Sequence, residues 1–430
     1  PMRLLHTSDW HLGVEPGQRS RTSEHRRFLE WLCGAIETHA VDVLVVAGDV
    51  FDGPNPSADA LQLYYQFLAR LAGLRRPGSL GGPAVVIVGG NHDSASRLDA
   101  PRDVLSALHA HVVGGYSQGR DGSIDGDAAG LLVPLTGGGS EVRLVVAAVP
   151  YLNDWRLGVR GFDATVEEQR TSLTESFAGV YSRLADRAQG LYPGVPLIAT
   201  GHLTCLPRAG DRTTDEDAVP VEINRVGSLG ALGPTIFDPR FGYVALGHIH
   251  RSFPVDSDRR VWYSGTPVQV SADESAEGRR VLLVDVADAP AGALRVTPIP
   301  VPLTRRLIKV RGDLDAVEEW LRHLTWPDEE LPPSLFVDVA VTGPTLRLSE
   351  TVRELLPSGA GGRATLDQLR TSVARVPGAA FAGLESLPMG EAITPEQAFR
   401  FAWRARYGDG AEPPEPVLQR LGRLIAGEHR

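Results

Sequence analysis

The chain has 430 residues and carries 43 Lys and Arg against 53 Asp and Glu, which gives a formal net charge of −10. At the usual ~100–200 residues per domain, this length predicts two or three domains. The acidic balance excludes a surface that attracts polyanions everywhere, so any nucleic-acid binding has to be local, metal-assisted or shared with a partner. Two cysteines exclude a disulfide framework.

The chain shows no signal for a membrane. No apolar run approaches the ~18–20 residues that cross a bilayer, and no basic segment followed by a hydrophobic stretch opens the sequence. We therefore expect a cytoplasmic protein without a membrane contact.

Short aliphatic runs alternate with amphipathic segments from residue 3 to about residue 300, which is typical of a layered α/β fold. The runs MRLL, VDVLVVA, AVVIV, RLVVAAV, VPLIAT and YVAL predict strands that are buried on both faces. Residues 23–39 and 57–74 space their apolar side chains along one side of a helix. The glycine-rich residues 114–140 and the acidic residues 209–220 predict loops.

The texture of the sequence changes after residue 300. Residues 303–385 predict a small β-α-β-α unit, and residues 393–430 predict a pair of helices. Thr394 as N-cap, with Pro395 in the first turn and Gln397 at the third position, marks the start of that pair. Its large apolar side chains favour a docking surface, with packing against the chain's own body as the open alternative.

Polar side chains follow five of the predicted strands. In chain order they are Asp9 and His11, Asp49 and Asp52, Asn91, His92 and Asp93, His202, and His248 and His250. Ligands of an open α/β sheet bind outside the carboxyl ends of its strands, so these side chains can meet. Oxygen and imidazole donors without a thiolate suit manganese, magnesium, iron or zinc. One carboxylate can bridge two cations, and we expect Asp49 to do so.

Glycine lies immediately before or near each of these side chains. We expect it to let the backbone turn sharply off the strand without a Cβ clash. Each short motif alone is weakly to moderately specific. The ordered set D-x-H, G-D-x-x-D, G-N-H-D, G-H and G-H-x-H is specific as a whole.

These residues resemble the calcineurin-like metallophosphoesterase superfamily. Within it, LLHTSDWHLG, AGDVFD, GNHDS, GHLT, ALGHIHR and YSGTP are similar to the SbcD family, the nuclease subunit of the bacterial SbcC–SbcD complex. The resemblance covers most of residues 2–285 and extends more loosely to the C-terminus. It implies a four-layer α/β/β/α sandwich over residues 1–300, a small α+β capping domain at 303–385 and a C-terminal helical segment at 393–430 that binds the SbcC-type ATPase.

The resemblance also implies two divalent metal ions, most readily Mn2+ with Mg2+ as the alternative. The ligands of the first would be Asp9, His11, Asp49 and His250, and those of the second Asp49, Asn91, His202 and His248. His92 would be the catalytic histidine outside the metal shell, where it assists departure of the leaving oxygen.

Three further residues have expected roles near the metals. Asp52 is expected to hydrogen-bond a ligating histidine and fix its tautomer. Asp93 either orients the His92 ring or caps the following turn. Arg251 either touches a substrate phosphate or forms a salt bridge.

The resemblance implies a dimeric DNA nuclease, with double-strand 3'-5' exonuclease and single-strand or hairpin endonuclease activity, in DNA repair, recombination and replication. Residues 57–74 and 97–110 are the candidate dimer surfaces. Two alternatives stay open: a phosphodiesterase or phosphatase for small molecules, and a non-catalytic scaffold for DNA ends. Intact Asn91 and His92 argue against the scaffold.

Overall fold

The computed structural model describes residues 2–74, 82–116, 128–136, 139–152, 165–207, 232–256, 258, 260–286, 294–341, 347–359, 361–373, 396, 399–400, 403–404, 407–408 and 410–425. No helix in these ranges is both long enough and apolar enough to cross a membrane.

The strands are β1 (Met2–Thr7), β2 (Val43–Ala47), β3 (Ala84–Val88), β4 (Ala110–Val113), β5 (Leu132–Leu135), β6 (Leu144–Ala147), β7 (Leu197–His202), β8 (Phe241–Gly247), β9 (Phe253–Pro254), β10 (Val261–Tyr263), β11 (Arg280–Val286), β12 (Arg295–Pro300), β13 (Leu307–Gly312), β14 (Ser334–Val341), β15 (Ser358–Gly359), β16 (Gly362–Arg363) and β17 (Thr365–Val373). The helices are α1 (Thr22–Thr38), α2 (Ala58–Gly73), α3 (Ala95–Asp99), α4 (Arg102–Ser106), α5 (Val166–Leu191), α6 (Leu314–His323), α7 (Leu348–Glu354) and α8 (Glu415–Ile425).

Two six-stranded sheets stack face to face. Their strand orders are β12-β11-β1-β2-β3-β4 and β5-β6-β7-β8-β10-β9. Alternate residues of β2 show the layering, because Val43 and Val45 pack toward the second sheet while Leu44 and Val46 pack under α1 and α2. Helix α5 covers the other side of the second sheet. The expected four-layer α/β/β/α sandwich is confirmed.

The structure differs from the sequence-based expectation at residues 128–135. The loop predicted for residues 114–140 is wrong there, since a short 3-10 turn at Ala128–Leu131 leads into β5. β5 is an edge strand, where the missing N–H of Pro134 is tolerated. Residues 117–127, 137–138 and 209–220 lie outside the described ranges.

Helix α5 has no counterpart in the sequence-based prediction. Its start nevertheless carries a clear signal, because Thr165 and Glu168 form a capping box. The N–H of Glu168 donates to Thr165 Oγ1 at 3.3 Å, and the N–H of Thr165 donates to Glu168 Oε2 at 2.8 Å.

A third sheet, in the order β13-β14-β17, has its own apolar core with α6 and α7. All its strand pairs are parallel. The order β-α-β-α expected within residues 303–385 is observed and is followed by β17, while the domain boundaries stay predictions. Near its start, Arg305 Nε lies 2.6 Å from Oε1 of the buried Glu24 on α1.

The C-terminal segment is described only in part. The helix start expected at Thr394, with Pro395 and Gln397, lies outside the described residues. The second expected helix corresponds to α8.

Candidate metal centre

The five polar strand ends meet at one edge of the two stacked sheets. The loops after β1, β2 and β3 supply Asp9, His11, Asp49, Asn91 and His92. The second sheet supplies His202 at the end of β7, and His248 and His250 after β8. The structure therefore brings all seven predicted metal ligands and His92 into one cluster.

The first group of donors surrounds His11. Ligand atoms of Asp9, His11 and His250 all lie within 4.8 Å of one another. The Nε2 atoms of His11 and His250 are 3.2 Å apart, and His11 Nε2 is 3.6 Å from Asp49 Oδ2. Nitrogen and oxygen donors from four residues therefore lie close together around His11.

The second group surrounds His202. Its Nε2 lies 3.3 Å from Asp49 Oδ2 and 3.0 Å from Asn91 Oδ1, and His248 Nδ1 lies 2.9 Å from the same amide oxygen. Asp49 Oδ2 thus lies between His11 and His202, which is where a bridging carboxylate has to be.

The protonation pattern of this cluster fits metal binding. His202 Nδ1 donates to the carbonyl oxygen of Ala47 at 2.9 Å, so in the neutral ring Nε2 is an acceptor. That nitrogen faces the oxygens of Asp49 and Asn91, which are acceptors too. Lone pairs that converge without enough protons are satisfied by a cation, and these nitrogen and oxygen donors suit a divalent one.

Electrostatics in the metal-free site follow from burial and close charges. Burial acts to raise the pKa of Asp49, but the His202 imidazole outweighs it and brings that pKa below its ordinary value. Burial acts to lower the pKa of His202, but the Asp49 carboxylate raises it to about 9. Burial, with His202 nearby, lowers the pKa of His248 to about 4. At neutral pH His202 therefore carries a second proton, on Nε2, which a cation has to displace.

His92 lies at the exposed side of the cluster. The main-chain N–H of His92 donates to Asp49 Oδ1, and its ring Nδ1 is held 2.9 Å from the carbonyl oxygen of Asp52. One of its ring nitrogens is within 4.8 Å of donor atoms of His11 and Asp49. Because Nδ1 is held by Asp52, Nε2 is the nitrogen that can reach a substrate.

The three other expected residues differ in outcome. Asp52 Oδ1 lies 3.3 Å from His11 Nδ1 without hydrogen-bond alignment, so its effect on the His11 tautomer stays a prediction. The hydrogen bonds of Asp93 among the described residues match neither alternative given for it, orientation of the His92 ring or capping of the following turn. Its carboxylate instead accepts main-chain N–H groups of Val50, Phe51 and Gly90 at 2.9–3.1 Å, which joins the loops after β2 and β3. Arg251 is exposed, and its role stays a prediction.

Backbone strain is concentrated on the candidate ligands. Four of the seven non-glycine residues with positive φ in the described ranges are Asp9, His11, Asp49 and His248, at φ 52°, 47°, 50° and 95°. Such conformations cost energy and persist where the surrounding structure enforces them.

Glycine is required next to the candidate ligands for two different reasons, backbone conformation and lack of space for a side chain. Gly48 has φ 90° and fits the expected sharp turn. Gly90 and Gly247 are required by space: a Cβ on Gly90 would lie 2.1 Å from Asp49 Oδ1, and one on Gly247 would lie 1.9 Å from the carbonyl oxygen of Ala47. A Cβ would therefore clash at Gly48, Gly90 and Gly247, as expected, and of these three only Gly48 also has a positive φ.

Three residues around the first group were missed from the sequence. Ser8 Oγ donates to Asp9 Oδ2 at 2.5 Å and contacts Ser264 Oγ at 2.8 Å. Glu274 accepts a hydrogen bond from His250 Nδ1 at 2.7 Å. Ser264 lies in the motif YSGTP, which was available as a signal, whereas Glu274 lies in no motif.

The chain is similar to known phosphoesterases and nuclease subunits. The family described as calcineurin-like phosphoesterase matches residues 2–252. The SbcD subunit of the SbcCD nuclease from Rhodobacter capsulatus is 37% identical over 341 residues, which are 79% of this chain and 80% of the relative. Its namesake in Escherichia coli K12 is 32% identical over 349 residues, 79% and 78% of the two chains. That of Bacillus subtilis is 31% identical over 290 residues, 66% of each chain.

The family match covers the two stacked sheets up to the last candidate ligand, and the relatives extend it over most of the chain. The chain therefore belongs to the calcineurin-like phosphoesterase family and, within it, to the SbcD nuclease subunits, and it is a metal-dependent phosphodiesterase.

Proposed function

We propose that this chain is a manganese-dependent DNA nuclease that processes DNA ends together with an SbcC-type ATPase, in the cytoplasm. Double-strand 3'-5' exonuclease and single-strand or hairpin endonuclease activity, and roles in repair, recombination and replication, belong to the same proposal. The observation that supports it most is the position of Asp49 Oδ2, 3.6 Å from His11 Nε2 and 3.3 Å from His202 Nε2.

The metal positions are proposed as follows. The first has the ligands Asp9, His11, Asp49 and His250, and the second has Asp49, Asn91, His202 and His248. Bound divalent ions supply an activated water and neutralise charge on a phosphoryl group.

His92 is proposed as the general acid. The carbonyl oxygen of Asp52 accepts Nδ1–H, so in the imidazolium form the second proton is on Nε2, from which it would pass to the leaving sugar oxygen. The N–H of His92 donates to Asp49 Oδ1, which keeps the ring beside the metal positions. General acid catalysis by a positioned histidine contributes ~10²–10⁴-fold to the rate.

DNA is the proposed substrate even though the net charge is −10. Phosphate contacts then have to come from the metals, from local arginines such as the exposed Arg251, and from the partner. The partner is proposed to bind residues 393–430, which include α8. Deletion of these residues should abolish co-purification while sparing hydrolysis of small esters.

A homodimer is proposed through residues 57–74 and 97–110. Tyr65 and Val104 in these segments are 40% and 68% exposed. Light scattering that finds monomers at micromolar concentration would contradict this assembly.

The test uses the full chain with Mn2+, linear duplex DNA and bis-p-nitrophenyl phosphate. His92→Ala is expected to retain Mn2+ and lower DNA cleavage by ~10²-fold or more. His323→Ala is the matched control, because its side chain is 71% exposed on α6. Hydrolysis of the small ester alone would remove the DNA assignment, and unchanged cleavage by His92→Ala would remove the catalytic role of that residue.

A further inference from the structure

A buried carboxylate lies directly behind one candidate ligand. The Nδ1–H of His250 donates to Glu274 Oε1 at 2.7 Å, and the Glu274 side chain is 7% exposed. Glu274 lies 24 positions after His250 in the chain and approaches it from the segment that precedes β11.

This hydrogen bond decides which nitrogen of His250 can bind a metal. A carboxylate can only accept, so the proton of the neutral ring is held on Nδ1. The lone pair is then on Nε2, the atom that lies 3.2 Å from His11 Nε2. Without Glu274 the proton could occupy either nitrogen, and only one of the two tautomers would accept a metal there.

Glu274 is itself held on its other oxygen. Oε2 accepts hydrogen bonds from Arg279 Nη2 at 2.8 Å and from the N–H of Val270 at 3.2 Å. Arg279 also donates through Nη1 to the carbonyl oxygen of His250 at 3.3 Å. The carboxylate therefore has a fixed position and a compensating charge.

The main chain of Glu274 is tied to the third sheet through Gln269, which is 1% exposed. The Gln269 amide nitrogen donates to the carbonyl oxygens of Glu274 at 2.9 Å and of Leu307 at 2.8 Å. Its oxygen accepts the N–H of Leu307, the first residue of β13, at 2.8 Å. The turn that carries Glu274 is thus held by the first residue of the third sheet.

We propose that Glu274 is a positioning residue that holds His250 in its metal-accepting tautomer and so sets the affinity of the first metal position but not of the second. The proposal rests on the metal assignment given above under the proposed function. It predicts an asymmetric effect, since the carboxylate contacts only the first group of donors. Mutation of a residue that hydrogen-bonds a metal ligand typically lowers metal affinity by ~10–100-fold.

The test is a Mn2+ titration of metal-free full-length chain, followed by calorimetry and by Mn2+ electron paramagnetic resonance. Glu274→Ala is expected to weaken one of two Mn2+ sites by ~10–100-fold and to leave the other unchanged. Glu274→Gln keeps an acceptor for Nδ1–H but loses the charge, so it should lose less affinity at that same site. Asp273→Ala is the matched control, because its side chain is 64% exposed beside Lys309 and should retain both affinities.

A double-mutant cycle separates positioning from a general structural role. If Glu274 acts through His250, then Glu274→Ala causes no further loss of Mn2+ affinity in a His250→Ala background. The inference is overturned by wild-type affinities in both Glu274 variants, by equal loss at both sites, or by a further loss in that background. Failure of the wild-type chain to bind two Mn2+ ions would overturn the proposed function itself, which is a distinct result.

Discussion

A single methyl group added at Gly247 should disrupt the metal centre while an identical change five residues earlier should not. The Cβ of Gly247→Ala would lie 1.9 Å from the carbonyl oxygen of Ala47 and 2.9 Å from His202 Nδ1. Neither neighbour can yield easily, because that carbonyl oxygen belongs to β2 and accepts the proton of His202 Nδ1.

The size of the effect follows from the displacement. Real Cβ atoms essentially never approach another heavy atom closer than 3.0 Å, so the ends of β2 and β8 have to separate by about 1 Å. Binding constellations tolerate only ~0.5 Å, and a displacement of ~1 Å costs on the order of 100-fold in activity. Overpacking of this kind also lowers the free energy of unfolding by ~1–3 kcal/mol.

Gly242→Ala is the matched control because Gly242 lies on the same strand, where its Cβ would meet Leu294 Cδ1 only at 3.6 Å. The assay compares Mn2+ affinity, hydrolysis of bis-p-nitrophenyl phosphate, and urea unfolding in EDTA for both variants. Wild-type Mn2+ affinity in Gly247→Ala, or an equal loss in Gly242→Ala, would refute the reasoning from close approach.

Three further outcomes are expected. Mn2+ has to displace the proton held on His202, whose pKa is about 9, so its affinity should rise about tenfold per pH unit between pH 7 and 9; a flat profile in calorimetry would contradict this. His6 and His25 are buried, and burial lowers their pKa values to about 3 and about 4, so as pH falls these histidines are protonated in the unfolded chain before they are in the folded one. The free energy of unfolding from urea titrations should therefore decrease between pH 7 and 5, and this decrease should be about 2 kcal/mol smaller in His6→Gln than in the wild type. Asp93→Ala leaves three main-chain N–H groups without their acceptor and should lower the free energy of unfolding by ~3 kcal/mol, whereas the exposed Asp328→Ala should leave it unchanged in the same titration.

The sequence allowed the strand ends to be located because the relevant chemistry is local there. Aliphatic runs that end in GNHD or GHIH mark both a buried strand and the donors that follow it, and the structure gathers those donors as expected. The alternation of strands and helices predicted a layered α/β fold, and the number of layers was implied by the family resemblance.

Features that depend on contacts between distant segments could not be read in this way. Asp93 is adjacent to His92 in the chain, which suggested an interaction with its ring, but its carboxylate binds N–H groups of the loop after β2. Glu274 reaches His250 across the fold and has no local pattern around it. β5 was missed because it is a short edge strand within a glycine-rich segment, and its pairing with β6 has no local pattern.

The unusual backbone of the four candidate ligands has a consequence for protein engineering. Each residue with a left-handed backbone costs of order 1–3 kcal/mol, and in a short peptide it would return to a conformation with negative φ. In this protein the two packed sheets hold the backbone in the strained conformation. If the five loops were grafted onto a less rigid protein, the donor residues would be present but their atoms would not be held at metal-binding distances. A functional graft would therefore also have to include the ends of β2 and β8.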